Sequence, residues 1–209
     1  MKRTADNAMR IEFVFDYPCV WSYFTFNRLQ RRLSEFRRAG GTAELILRPY
    51  QLAPDATAAG EPKREVLRRS FGSDTDDAIA GIESLAAAEG LHFRHARAVW
   101  SNTFGAHRLT FLAQQQGLGA KTAERLFRAH HTDELNIADP RVLSQLAAEI
   151  GVRWRDVSDA HIANELESVR QAGLRSVPAT RFGGSAWMIG AQSEAALNAA
   201  LTGSASPAA

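Results

Sequence analysis

The chain has 209 residues, 45% of them hydrophobic, and its 25 Lys and Arg against 23 Asp and Glu leave a formal net charge of +2. That length holds one domain, or one domain carrying an insertion, with a sizeable core. The basic residues are scattered rather than gathered into a run, which argues against nucleic-acid binding. The single cysteine rules out an internal disulfide, and no apolar stretch approaches a membrane span.

In chain order, residues 1–10 are polar and do not read as a signal peptide, so a reducing cytoplasm is the expected setting. Residues 11–15, Ile-Glu-Phe-Val-Phe, predict a short buried strand. A helix follows over 21–38, with Phe24, Leu29, Leu33 and Phe36 in its apolar stripe and Gly40-Gly41 as its stop. Residues 43–48 predict a second strand, closed by Pro49, and 54–62 a loop. From Lys63 to Leu174 the pattern is almost wholly helical. It contains predicted helices over 79–89, 105–116, 120–131, 141–150 and 156–171. Asp139-Pro140 supplies an N-cap and a proline at the first helical position of the 141–150 helix. Strand signals return at 179–182 and 187–189 around Gly183-Gly184, and 193–201 predicts a closing helix. The tail from Thr202 to Ala209 is small and polar, with the composition of a disordered end. The order β-α-β, helical block, β-β-α describes an α/β unit (11–60 and 175–203) carrying an inserted all-α region (61–174).

Cys19 stands out within Asp16-Tyr17-Pro18-Cys19-Val20-Trp21-Ser22-Tyr23. A cysteine at a strand-to-helix junction lies near a helix N-terminus, where free N–H groups and the helix dipole favour a thiolate. The expectation is a thiol with a lowered pKa, reactive at neutral pH. The spacing Cys19-Val20-Trp21-Ser22 is that of a Cys-x-x-Cys motif whose second cysteine is serine. Ser22 can donate a hydrogen bond to a thiolate but cannot resolve a mixed disulfide. Asp16 admits two roles, a carboxylate acting on the thiol or a cap for the turn.

A β-α-β…β-β-α frame with cysteine at the first strand-helix junction resembles the thioredoxin frame, and the helical insertion resembles that of the DsbA-like proteins. Several segments are similar to the FrnE branch, which carries Asp-x-x-Cys-Pro-Trp-Cys-Tyr at the motif. Arg48-Pro49-Tyr50-Gln51-Leu52, Asn102-Thr103-Phe104-Gly105-Ala106-His107-Arg108-Leu109, Ser176-Val177-Pro178-Ala179 and Ile189-Gly190-Ala191-Gln192 match further segments in the family's order. Two departures fall in the motif, Val20 for proline and Ser22 for cysteine. The resemblance implies a thioredoxin-like α/β fold and a cis peptide at Val177–Pro178 facing Cys19. It also implies a Val177 backbone free to pair with a substrate strand or a thiol peptide such as glutathione.

Cys19 and Ser22 are thus the catalytic candidates. Trp21, Tyr23, Asn102, His107, Arg108, Val177 and Pro178 are the substrate-binding candidates. His107 suits acid-base work near neutral pH and Arg108 suits a carboxylate, although interdomain hydrogen bonding suits both slightly better. Trp100 and Phe104 are further aromatic candidates. His130-His131 with Asp133 and Glu134 reads as a helix end rather than a metal site. Three functions follow: a monothiol oxidoreductase working through mixed disulfides; an isomerase or conjugating enzyme; or a binding protein that has kept the fold without catalysis. For the second, the frame resembles 2-hydroxychromene-2-carboxylate isomerases and kappa-class glutathione transferases, and FrnE-type proteins resemble members of polyketide gene clusters. An aromatic, polyketide-type electrophile is then a substrate class. The expected partners are a small molecule or a thiol/disulfide substrate, with no nucleic acid or membrane, and a homodimer is in keeping with related proteins. No tightly bound cofactor is expected, and glutathione or another low-molecular-weight thiol is the candidate co-substrate.

Overall fold

The computed structural model describes residues 8–95, 97–155 and 158–203. Strand β1 (Met9–Phe15) lies at the centre of a four-stranded sheet. It pairs in parallel with β2 (Ala43–Pro49) and antiparallel with β5 (Ala179–Phe182), which pairs antiparallel with β6 (Met188–Ile189). Strand β1 is buried on both faces, as a central strand with a parallel neighbour requires. Ile11, Phe13 and Phe15 face the main core, while Val14 packs with Val169, Leu174 and Ala179. This two-sided burial is why the strand does not alternate cleanly.

Helix α1 (Val20–Arg38) connects β1 to β2. Its buried residues Phe24, Phe26, Leu29 and Leu33 meet the core, and its arginines bind outward. Arg28 pairs with Glu89, and Arg31 and Arg32 both pair with Glu194 of the closing helix α8 (Glu194–Gly203). Between β2 and β5 the chain runs through helices α2 (Lys63–Phe71), α3 (Thr75–Ala88), α4 (Phe104–Gln114), α5 (Gly119–His131), α6 (Pro140–Ile150) and α7 (Asp159–Gln171). Helices α4 and α7 pack on β2, and α5 carries Phe127 into the aromatic core beside Phe15, Tyr17, Tyr23 and Phe26. The fold is therefore thioredoxin-like with helices inserted ahead of the β5–β6–α8 ending.

Three local differences from the sequence expectation have physical reasons. Helix α3 begins at Thr75 rather than 79, because a 3-10 turn (Gly72–Asp74) runs straight into it and places Asp76 and Asp77 in its first turn. There they complement the positive helix end. The loop and the helical block hide a two-stranded ribbon, β3 (Glu61–Pro62) with β4 (Val99–Trp100), too short for any periodicity to show. Thr202 and Gly203 continue α8 instead of joining the tail; residues 204–209 lie outside the described residues, as does Asp156 at the start of the predicted 156–171 helix. Among the described residues no helix is long and apolar enough to cross a membrane.

Candidate active site

Four residues carry the chain from β1 into α1, and the last, Cys19, is the N-cap. Its backbone is extended (φ −76°, ψ 107°), and its carbonyl accepts from the N–H groups of Ser22 (3.0 Å) and Tyr23 (3.2 Å). Its side chain makes no capping bond. The sulfur faces the Val177 carbonyl, 3.6 Å away, and the thiol donates to it. The Val177–Pro178 peptide is cis. Ser22 lies in the first turn of α1, fully buried, and its hydroxyl has no hydrogen-bond partner among the described residues. It is free to turn toward the Cys19 sulfur.

The thiol itself departs from expectation. Its pKa lies above the ordinary cysteine value, because burial disfavours the thiolate. The Ser22 hydroxyl and the N–H groups of Ser22 and Trp21 pull it down, and the Asp16 carboxylate adds to the rise. The helix start does favour the anion, but desolvation outweighs it.

Cys19 opens on a cleft of about 660 Å³. Trp21, Leu67, Phe71, Ile79 and Trp100 form apolar walls, and the buried Lys63 and His95 also border it. Lys63 is only 1% exposed, and its Nζ lies 3.2 Å from His130 Nε2. No carboxylate pairs with it among the described residues. Burial lowers its pKa to about 7, and the negative charge of Cys19 as thiolate opposes that fall. His95, His130 and His131 are also buried. Burial, then the nearby Lys63 charge, holds His95 at about 3 and the other two well below the usual histidine value. Their rings do not make a metal site: no group of three or more His, Cys, Asp or Glu among the described residues is placed to hold an ion. Asp133 pairs instead with Arg125 and Glu134 with Arg97.

Lys63 escaped the sequence reading because Lys63-Arg64-Glu65 followed by Arg68-Arg69 looks like a solvated helix face. A signal was present: Lys63, Leu67 and Phe71 fall at four-residue spacing on one face, and both apolar members line the cleft. The burial itself comes from the β3–β4 ribbon, where the Lys63 N–H donates to the Ala98 carbonyl at 2.9 Å.

Of the residues singled out from sequence, the structure brings Cys19, Trp21 and Trp100 to the cleft, with Val177 against the sulfur. Others sit elsewhere. Tyr23 is a core residue, stacked 4.8 Å from Phe127. Asn102 is occupied with the chain itself: its side chain accepts from Gln51 and the Phe104 N–H and donates to the Pro54 carbonyl. His107 is buried and donates from Nε2 to Asp16 at 3.1 Å. Asp16 also accepts from the N–H groups of Tyr17 and Leu52, so it ties the motif loop to α4 and to the segment after β2. Arg108 pairs with Asp159 and lies over the Trp154 ring, at the surface.

A sheet of this order, a thiol at the start of the first helix and a cis-proline loop facing it define a thioredoxin-like fold. Residues 10–202 match the DSBA-like thioredoxin domain family, and the chain belongs to that family. Among solved structures it is similar to a probable DsbA oxidoreductase from Streptomyces coelicolor, at 26% identity and TM-score 0.79, covering 94% of this chain and 89% of that one. The cytosolic disulfide reductase DsbM from Pseudomonas aeruginosa, solved with GSH, shares the fold at 20% identity and TM-score 0.55, over 83% and 87% of the two chains. A 2-hydroxychromene-2-carboxylate isomerase shares it at 13% identity and TM-score 0.55, over 87% and 88%. Comparison with curated protein sequences returned no match.

Proposed function

We propose that the protein is a monothiol oxidoreductase that works by thiol-disulfide exchange through a mixed disulfide at Cys19. The observation that carries this reading is the Cys19 sulfur at the N-cap of α1, against the Val177 carbonyl and open to the cleft. The Cys19 thiolate attacks one sulfur of a disulfide; that S–S bond breaks, the mixed disulfide forms, and the leaving thiolate takes up a proton. With no second cysteine in the chain, a thiolate from solution then attacks the mixed disulfide, carries the group away and restores Cys19. The two steps exchange partners without net oxidation. A Lys63 ammonium across the cleft and the thiolate stabilise one another, which offsets part of the cost of ionising a buried thiol. Glutathione is the natural candidate for the second thiol, and the fold shared with a relative solved with GSH supports it.

The test is incubation with oxidised glutathione, read by intact mass, followed by turnover of a glutathionylated peptide with free thiol. One adduct on Cys19, removed by thiol and missing in Cys19→Ser, is the expected result. A wild-type protein that never forms the adduct sinks the proposal. The apolar cleft favours a second reading, a thiol-dependent isomerase or conjugating enzyme for a small aromatic or polyketide-type electrophile. Thiol-dependent consumption of an aromatic enone separates it from simple exchange.

A further inference from the structure

We propose that the group Cys19 carries in its mixed disulfide is a small apolar thiol seated in the cleft, so that the substrate is a disulfide with one such half. The inference rests on thiol exchange at Cys19 and adds which half of an unsymmetrical disulfide stays behind. Helix α2 turns Leu67 and Phe71 to the cleft, and α3 turns Thr75, Ala78, Ile79 and Ile82 to it, at the three- and four-residue spacings of a single helix face. Such faces ordinarily cover a core; here they border open space of about 660 Å³ beside the sulfur. At the rim, Trp21, Leu52 and Phe71 remain 42%, 43% and 55% exposed. They are three of the six large apolar side chains exposed among the described residues, so apolar surface gathers where the thiol is. A patch of that kind marks a binding site.

The cleft has little to offer a charge. Among the described residues no Arg, Asp or Glu lines it. Lys63 and His95 are closed off, 1% and 3% exposed, and the Thr75 hydroxyl is committed to the Gly72 carbonyl at 2.8 Å. Glutathione bears two carboxylates and an ammonium, which are costly to take from water without partners. An apolar group gains from the same transfer. Glutathione therefore suits the half that leaves, or the thiol that arrives, and not the half that fills the cleft. Val177 meets the sulfur but does not line the cleft. Its carbonyl accepts from the thiol only while Cys19 holds its proton; in the mixed disulfide that carbonyl is free for an N–H of an arriving thiol peptide. In the step, the Cys19 thiolate attacks the sulfur bearing the apolar group. The substrate S–S bond breaks, the new S–S bond joins that half to Cys19, and the glutathione thiolate leaves and takes up a proton.

The test is the unsymmetrical disulfide of glutathione and 2-phenylethanethiol, both of whose sulfurs sit on saturated carbon. The protein is acid-quenched early and the two adducts are counted by intact mass. N-acetylcysteine, treated alike, gives the intrinsic partition between the sulfurs. The expected result is a ratio of phenylethyl to glutathione adduct at least about tenfold above that reference, the order that burying a phenyl group supplies. Leu67→Asn and Phe71→Ser should each lower the ratio severalfold while leaving the adduct from oxidised glutathione, whose halves are alike, at its wild-type rate. Phe71 is exposed at the last position of α2, so its loss spares the core; where a variant does not fold, the wild-type ratio alone decides. A ratio equal to or below the reference, or one untouched in both variants, overturns the inference and leaves thiol exchange standing. No adduct from either disulfide removes thiol exchange, and the inference with it.

Discussion

At the residue scale the site turns on two groups that burial pushes toward neutrality, a thiol raised and an amine lowered. Alkylation of Cys19 in the resting protein should therefore show its midpoint above the ordinary cysteine range. Ser22→Ala, which removes a group favouring the anion, should slow alkylation at pH 8 by roughly threefold or more. A faster variant would show that the hydroxyl does not serve the sulfur. Lys63 gives a second measurement. It is charged in the unfolded chain up to about 10.5 and loses its proton in the folded protein near 7. Between those values the unfolded state binds more protons, so stability rises with pH. From pH 7 to pH 9 the gain is about 2 kcal/mol for this one group. Denaturant unfolding at the two values should show the gain in the wild type and its loss in Lys63→Met. The motif made Cys19 and Ser22 visible in the sequence, but nothing local announces that burial outweighs the helix dipole at Cys19. Nor can sequence show that the carboxylate holding His107 lies 91 residues away, at Asp16.

At the element scale, what was legible is what depends on neighbours in the chain. The strand before the motif, the helix after it and the Asp139-Pro140 start of α6 all follow from local pattern, and each is found within a few residues. The Asp139 carboxylate accepts the Arg141 N–H at 2.8 Å, and Gly151 ends the helix in the left-handed region at φ 88°. Asp139→Ala should cost about 1 kcal/mol in unfolding free energy, and an unchanged midpoint would show that Pro140 alone starts the helix. The illegible elements are those made by distant pairing. Strands β3 and β4 are two residues each and meet from far apart in sequence, yet their ribbon fixes where α2 begins and so turns Lys63 inward. Once that is known, the stripes of α2 and α3 read naturally as the two walls of a cleft.

At the scale of the whole molecule, three of the buried histidines, His95, His130 and His131, couple the core to acid. Tyr23, Phe93 and Phe127 stack with His131, and the His131 Nε2 donates to the Tyr17 carbonyl at 2.8 Å. All three rings stay neutral in the folded protein well below the pH at which the unfolded chain protonates them. The unfolded state then binds more protons, and stability falls as pH drops through about 6.5. Each such proton contributes a slope of about 1.4 kcal/mol per pH unit. Unfolding at pH 5 should therefore take up protons, measurable by calorimetry in buffers of different ionisation enthalpy. His95→Phe should reduce that uptake by about one proton; uptake unchanged by this variant would show that His95 is charged in the folded protein.

A single sulfur also changes what kind of redox quantity the molecule possesses. A dithiol closing on itself releases two thiols for each disulfide consumed, so its oxidised fraction depends on the square of the thiol concentration and shifts on dilution. With Cys19 alone, one thiol is released for one disulfide consumed, and occupancy follows only the ratio of the two. Diluting a glutathione buffer at constant ratio would leave the Cys19 adduct population where it was. Under the proposed exchange mechanism the protein would have no midpoint potential of its own, only an exchange constant for each partner, and would read the composition of a thiol pool rather than its size.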